Sequence, residues 1–127
     1  MTINKLILLV ALLLNGCSDS TNMYEQYQQL GTETFTSEKW KSASQEERAT
    51  LIYSFLTQYE INKLSREDVI ALLGEPTAYF EYDEIPAYFI GSKSVSSVYG
   101  SGYLIAFPYD RTTGIVTKVI IKPKINN

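Results

Sequence analysis

Leu64–Pro76, LSREDVIALLGEP, is a short helix written with both of its ends. Ser65 is a good N-cap, because its hydroxyl can accept a hydrogen bond from a free backbone N–H of the first turn. Asp68 follows three residues later, close to the capping-box pattern and favourably placed against the helix dipole. Val69, Leu72 and Leu73 recur at i, i+3 and i+4 and make one apolar face. Gly74 can adopt the positive φ that closes a helix, and Pro76 forbids its continuation. Glu67 and Asp68 are neighbours in sequence and point about 100° apart on a helix, so they do not form a catalytic pair.

Upstream lies a second helix. Ser44-Gln45-Glu46-Glu47 is a full capping box, and helix is expected from there to about Tyr59. Leu51, Ile52, Phe55, Leu56 and Tyr59 form its apolar stripe. Arg48 is expected to make a surface ion pair with its Glu neighbours. Glu60 to Leu64 is a tight link, which makes the two helices an antiparallel or crossed pair. Phe35 and Trp40 mark the edge of the core.

Downstream the period changes from helical to strand-like. Thr77 to Asp83 reads as a strand carrying Tyr79, Phe80 and Tyr82, and Ala87 to Ile90 as a second. Gly91 to Gly102, GSKSVSSVYGSG, reads as a Ser/Gly-rich loop, with Tyr99 its one anchor-like side chain and possible partner contact. Tyr103, Ile105, Phe107 and Tyr109 give a third strand. Asp110 to Gly114 is a hairpin turn, and Ile115 to Lys122 is the fourth strand. Both faces of that last strand are apolar, which leaves its inward face open and allows for a bulge that switches it. The expected fold is α+β: two N-terminal helices packed on one face of a three- to four-stranded antiparallel sheet.

Composition removes several chemistries. The chain has 127 residues, ten of them Tyr, no His and a net charge of −3. Without a basic patch it is not expected to bind nucleic acid. Without His it lacks the usual general base and metal ligand, and no metal or cofactor is expected. Glu81, Asp83 and Glu84 are the one carboxylate cluster on an expected strand, with Glu81 and Asp83 on one face. Carboxylates two apart on an edge strand ordinarily keep that edge soluble, so no catalytic residue is assigned.

The amino terminus reads as a signal. Lys5 precedes the nine apolar residues Leu6 to Leu14, about half the ~20 needed to span a bilayer. Leu14-Asn15-Gly16-Cys17 then resembles the lipobox of bacterial lipoproteins, with Leu at −3, a small residue at −1 and the chain's single Cys at +1. The resemblance implies cleavage before Cys17 and acylation of its thiol and new amino group. Ser18 at +2, with Asp19 only at +3, implies sorting to the outer membrane, facing the periplasm. Residues 1–16 are then the signal peptide, 17–40 a lipidated Cys with a flexible polar tether, and 41–127 the folded domain.

Ser65, Val69, Leu72-Leu73-Gly74 and Pro76, followed by an aromatic-rich meander, resemble the SmpA/OmlA (BamE-like) lipoprotein domain, over roughly Lys41 to Lys122. At Lys63 the chain departs from the Gly usual in that family. The resemblance implies a non-enzymatic binding or assembly module of the cell envelope, held to the membrane through Cys17 and acting on envelope proteins. The same layout occurs in the repeats of the β-lactamase inhibitor protein, which implies an alternative: a domain that occupies a partner enzyme.

Overall fold

The computed structural model describes residues 23–82 and 84–125. The stretch read as a signal sequence and Cys17 lie outside the described residues, as does Asp83. The order of elements is α1 (Ser37–Ser42), α2 (Gln45–Gln58), α3 (Arg66–Leu73), then strands β1 (Ala87–Ile90), β2 (Ser96–Ser97), β3 (Gly100–Ser101), β4 (Tyr103–Ala106) and β5 (Ile120–Lys122). Two 3₁₀ turns, Glu25–Leu30 and Ile61–Lys63, precede α1 and α3. The class is α+β, with the helices ahead of the strands.

Both capping boxes form. Glu47 N–H donates to Ser44 Oγ at 3.2 Å while Ser44 N–H donates to Glu47 Oε1 at 2.8 Å. Asp68 and Ser65 make the same exchange at 3.0 and 2.9 Å. Each box satisfies two N–H groups that the helix itself cannot. Gly74 ends α3 at φ 80°, and its N–H closes back on Ile70 O at 2.7 Å.

The sheet runs β1-β4-β5, antiparallel throughout. Alternation sends Tyr88, Ile90, Ile105 and Phe107 to one face, where they meet Trp40, Ile52, Phe55, Val69 and Leu73 from the helices in the main core. Leu72 only borders this core and stays partly exposed. Trp40 stands edge-on to Tyr88 at 6.0 Å, and Phe55 edge-on to Phe107 at 6.0 Å.

Four expectations are corrected. First, the stretch read as a tether is packed into the domain from Tyr24 onward. Tyr27 and Phe35 are buried in the main core, and Phe35 packs on Phe55 at 5.0 Å. Its polar composition concealed a few widely spaced aromatics, each of which buries enough area to hold its segment down. Second, the stretch expected as a strand from Thr77 to Asp83 is not one over its described residues, Thr77 to Tyr82. Pro76 and Pro86 bracket it, Glu81 sits at φ 61°, and its contact with the sheet is at the edge of β1.

Third, the Gly91 to Gly102 stretch is a small hairpin, β2 with β3, folded onto the sheet. Gln45 clamps its base: the side-chain Nε2 donates to Gly91 O at 3.1 Å and Ser101 O at 3.0 Å. Gly100 lies so close over the Phe89 ring that a Cβ there would come within 2.6 Å of it. Fourth, the last strand is regular only over Ile120–Lys122. Tyr109 pairs with Val116, whereas Ala106 pairs with Ile120, so the later strand gains one residue between the two pairs. That is a β-bulge at Lys118-Val119. It explains why Val116 and, beyond the bulge, Val119 and Ile121 all reach the main core although their parities differ.

The sheet's second face is covered too. Ala87, Leu104 and Ala106 form a smaller cluster with Phe80 and Ile85 from the 77–86 segment, and Phe89 and Ile120 border it. The core therefore has two compartments separated by the sheet.

Candidate interaction surface

The segment that failed to become a strand shapes the most distinctive surface of the molecule. Tyr82 N–H donates to Phe80 O at 2.6 Å across Glu81, whose φ is 61°. This three-residue turn is a γ-turn of the positive-φ kind, rare in proteins and strained for any residue with a Cβ. The Tyr79 hydroxyl donates to Glu81 O and ties the turn from one side. From the other, Arg66 Nε donates to Glu84 O at 2.6 Å. Arg111 places its guanidinium 5.0 Å from the Tyr82 ring centroid and 3.5 Å from Glu84 Oε1.

The tight turn buries Phe80 and leaves its neighbours outside. Phe80 is 5% exposed, whereas Tyr79 and Tyr82 are 57% and 54% exposed. The β2–β3 hairpin joins this surface from the other side. Tyr99 rests on Phe80, ring centroids 5.8 Å apart, and keeps 37% of its surface exposed. Val98 at the tip is 96% exposed. Phe80 thus links the hairpin, through Tyr99, to the turn that carries Tyr79 and Tyr82, with Arg111 against the Tyr82 ring. Aromatic side chains flanking an arginine are the composition of interface anchors, since they carry large area at low conformational cost.

No protein-family model matches the chain, and no curated protein or solved structure matches it either. The surface is therefore read on its own chemistry.

Of the residues singled out in the sequence, Tyr99 falls at this surface. The carboxylate cluster does not assemble as expected. Glu81 is at the strained turn instead of on a strand face, Glu84 is engaged by Arg111, and Asp83 lies outside the described residues. Glu67 and Asp68 are structural: Asp68 completes the cap and Glu67 lies 3.7 Å from Arg66. Among the described residues no group of three His, Cys, Asp or Glu side chains could hold a metal ion. No described helix is long and apolar enough to cross a membrane.

The sequence reading missed Tyr79, Tyr82 and Val98. The signal for the tyrosines was the pair of prolines around TAYFEYDEI, which argues against a central strand. A shallow cleft of about 480 Å³ lies between α1 and α2, lined by Glu33, Lys39, Glu47 and Thr50. Of its charged groups, the Glu47 carboxylate is committed to the α2 cap and Lys39 Nζ donates to Thr34 O.

Proposed function

We propose that this chain is a lipid-anchored envelope lipoprotein, a small non-enzymatic binding or assembly module of the BamE-like kind, anchored at Cys17. The observation that carries the proposal is the placement of the chain's single cysteine directly after the nine apolar residues Leu6 to Leu14 and an Asn-Gly pair. Several acyl chains on one residue give stable anchoring where one chain alone is marginal. Tyr24 already packs against the main core, so at most the six residues Ser18 to Met23 lie between the proposed anchor and the domain. They reach about 20 Å at full extension. The module then works close to the membrane surface, in the envelope and facing the periplasm, with no metal, cofactor or nucleic acid involved.

The surface at Tyr79, Tyr82, Val98 and Tyr99 is the proposed contact for an envelope protein. The hairpin also favours a second reading, an inhibitor-like domain that would present Val98, 96% exposed at the hairpin tip, to a partner enzyme's cleft. Metabolic labelling with radioactive palmitate tests the anchor. Wild-type chain should take up label and fractionate with membranes. Cys17→Ala should lose the label and appear as soluble or unprocessed protein. Unchanged membrane retention in Cys17→Ala would remove the lipoprotein reading.

A further inference from the structure

The sheet is closed at one edge and open at the other. On the β1 side, Ala87 O accepts from the N–H groups of Thr77 and Ala78 at 3.0 and 3.1 Å. Phe89 N–H donates to Thr77 Oγ1 at 3.0 Å. An approaching strand finds those groups taken.

On the β5 side the cover is partial. Phe107 N–H donates to Pro86 O, in line with the β1–β4 register, so odd-numbered residues of β4 bond to β1 and even-numbered ones to β5. Leu104 and Ala106 face Lys122 and Ile120, which turns the backbone groups of those two residues into the sheet. The N–H and C=O groups of Ile121 and, next to the inward Ile120 N–H, the C=O of Val119 therefore point away from it. Val116 also points away, but its N–H is taken by Leu64 O at 2.9 Å, and Arg66 N–H takes Gly114 O at 2.9 Å. There the chain leaves the edge for the 3₁₀ turn. The outward backbone groups of Val119 and Ile121 meet no protein partner among the described residues.

Charge selects the occupant. Lys118, Lys122 and Lys124 are all exposed along this edge, and no acidic residue follows Asp110 in a chain of net charge −3. Lysines on an edge oppose pairing with a second copy, since two such strands would set like charges side by side. They favour a strand of opposite sign, which gains ladder hydrogen bonds and charge pairs together. We propose that the β5 edge, Lys118 to Lys122, takes up an extended acidic segment of another protein as an added strand. The proposal does not rest on the lipid anchor: peptide binding and membrane fractionation fail or succeed separately.

The test uses the full chain in non-ionic detergent. It is titrated with a short fluorescent peptide alternating valine and glutamate, with its lysine counterpart, and with the glutamate peptide N-methylated along one edge. The glutamate peptide should bind about tenfold or more tighter than the other two, and should slow hydrogen exchange at the Ile121 amide. The double variant K118E/K122E, altered only at exposed side chains, should invert the order of the glutamate and lysine peptides. Equal binding of the methylated peptide would reduce the effect to charge and overturn the proposal. Unchanged peptide preference in K118E/K122E would overturn it as well. So would a peptide-free dimer with the Ile121 amide already protected, which would make the edge a self-contact, or no binding of the glutamate peptide at all.

Discussion

Gly74 illustrates what a single residue decides here. Its φ of 80° with ψ of −169° lies in a region open essentially to glycine alone. A Cβ would meet nothing closer than Lys41 Cγ at 3.8 Å, so the obstacle to substitution is backbone torsion and not space. Its carbonyl accepts from the Tyr88 hydroxyl at 2.8 Å, which ties the helix end to β1. Gly74→Val should therefore lower stability by about 1–3 kcal/mol, read as a lower urea midpoint. A midpoint equal to wild type would show that the turn tolerates other torsions. The glycine's role was legible because helix stops are local signals. The Tyr88 bond was not, because its partners are brought together only by the finished fold. Arg48 shows the same limit: in place of an ion pair, its Nε donates to Trp40 O at 2.9 Å and its guanidinium lies 5.0 Å from the Trp40 ring centroid. It thereby supplies a cation to the C-terminal end of α1, where the dipole favours one. Trp40 itself is fully buried, which removes part of the guanidinium's hydration and lowers the Arg48 pKa.

At the level of elements, the helices were legible because caps and 3.6-residue periodicity are written within the segment that folds. The strands were less so, because an aromatic run such as Tyr79-Phe80-Glu81-Tyr82 satisfies strand preference while its neighbours decide whether it can pair. The bulge in the last strand was foreseeable as a possibility from its two apolar faces, but its position depends on the register with β4. The division of the core makes a ranking. Phe107 is fully buried between Phe55 and Tyr88, and Phe107→Ala should cost about 3–5 kcal/mol. Tyr99→Ala removes one half-exposed ring from Phe80 and should cost about 1 kcal/mol, while weakening any partner held by the hairpin surface. Leu72, at the border of the core, should rank between them. Thermal unfolding of the three variants checks the order, and a Tyr99 variant less stable than the Phe107 variant would place the hairpin at the centre of the core.

For the whole molecule, the decisive revision is where folding begins. The 3₁₀ turn Glu25–Leu30 lies against α2, with Tyr27 buried and Tyr24 beside it at 6.2 Å. The reach of the domain toward the proposed anchor at Cys17 depends on whether that turn stays docked, and two buried tyrosines make this measurable. Burial, with a smaller contribution from Tyr24, pushes the Tyr27 phenol well above the ordinary tyrosine value. Burial does the same at Tyr88, with Glu75 adding to it and Arg48 and Arg66 opposing. Both groups hold their protons more tightly folded than unfolded. Their contribution is complete below the unfolded value of about 10 and is lost as pH rises above it, by about 1.4 kcal/mol per pH unit for each. Alkaline urea titrations should show that decline, and Tyr88→Phe should remove one share of it. Tyr27→Phe should remove the other if the N-terminal turn unfolds with the rest of the domain. A Tyr27→Phe variant with the wild-type pH slope would mean that the turn detaches before the core does, restoring up to the start of α1 the flexible tether that the sequence suggested.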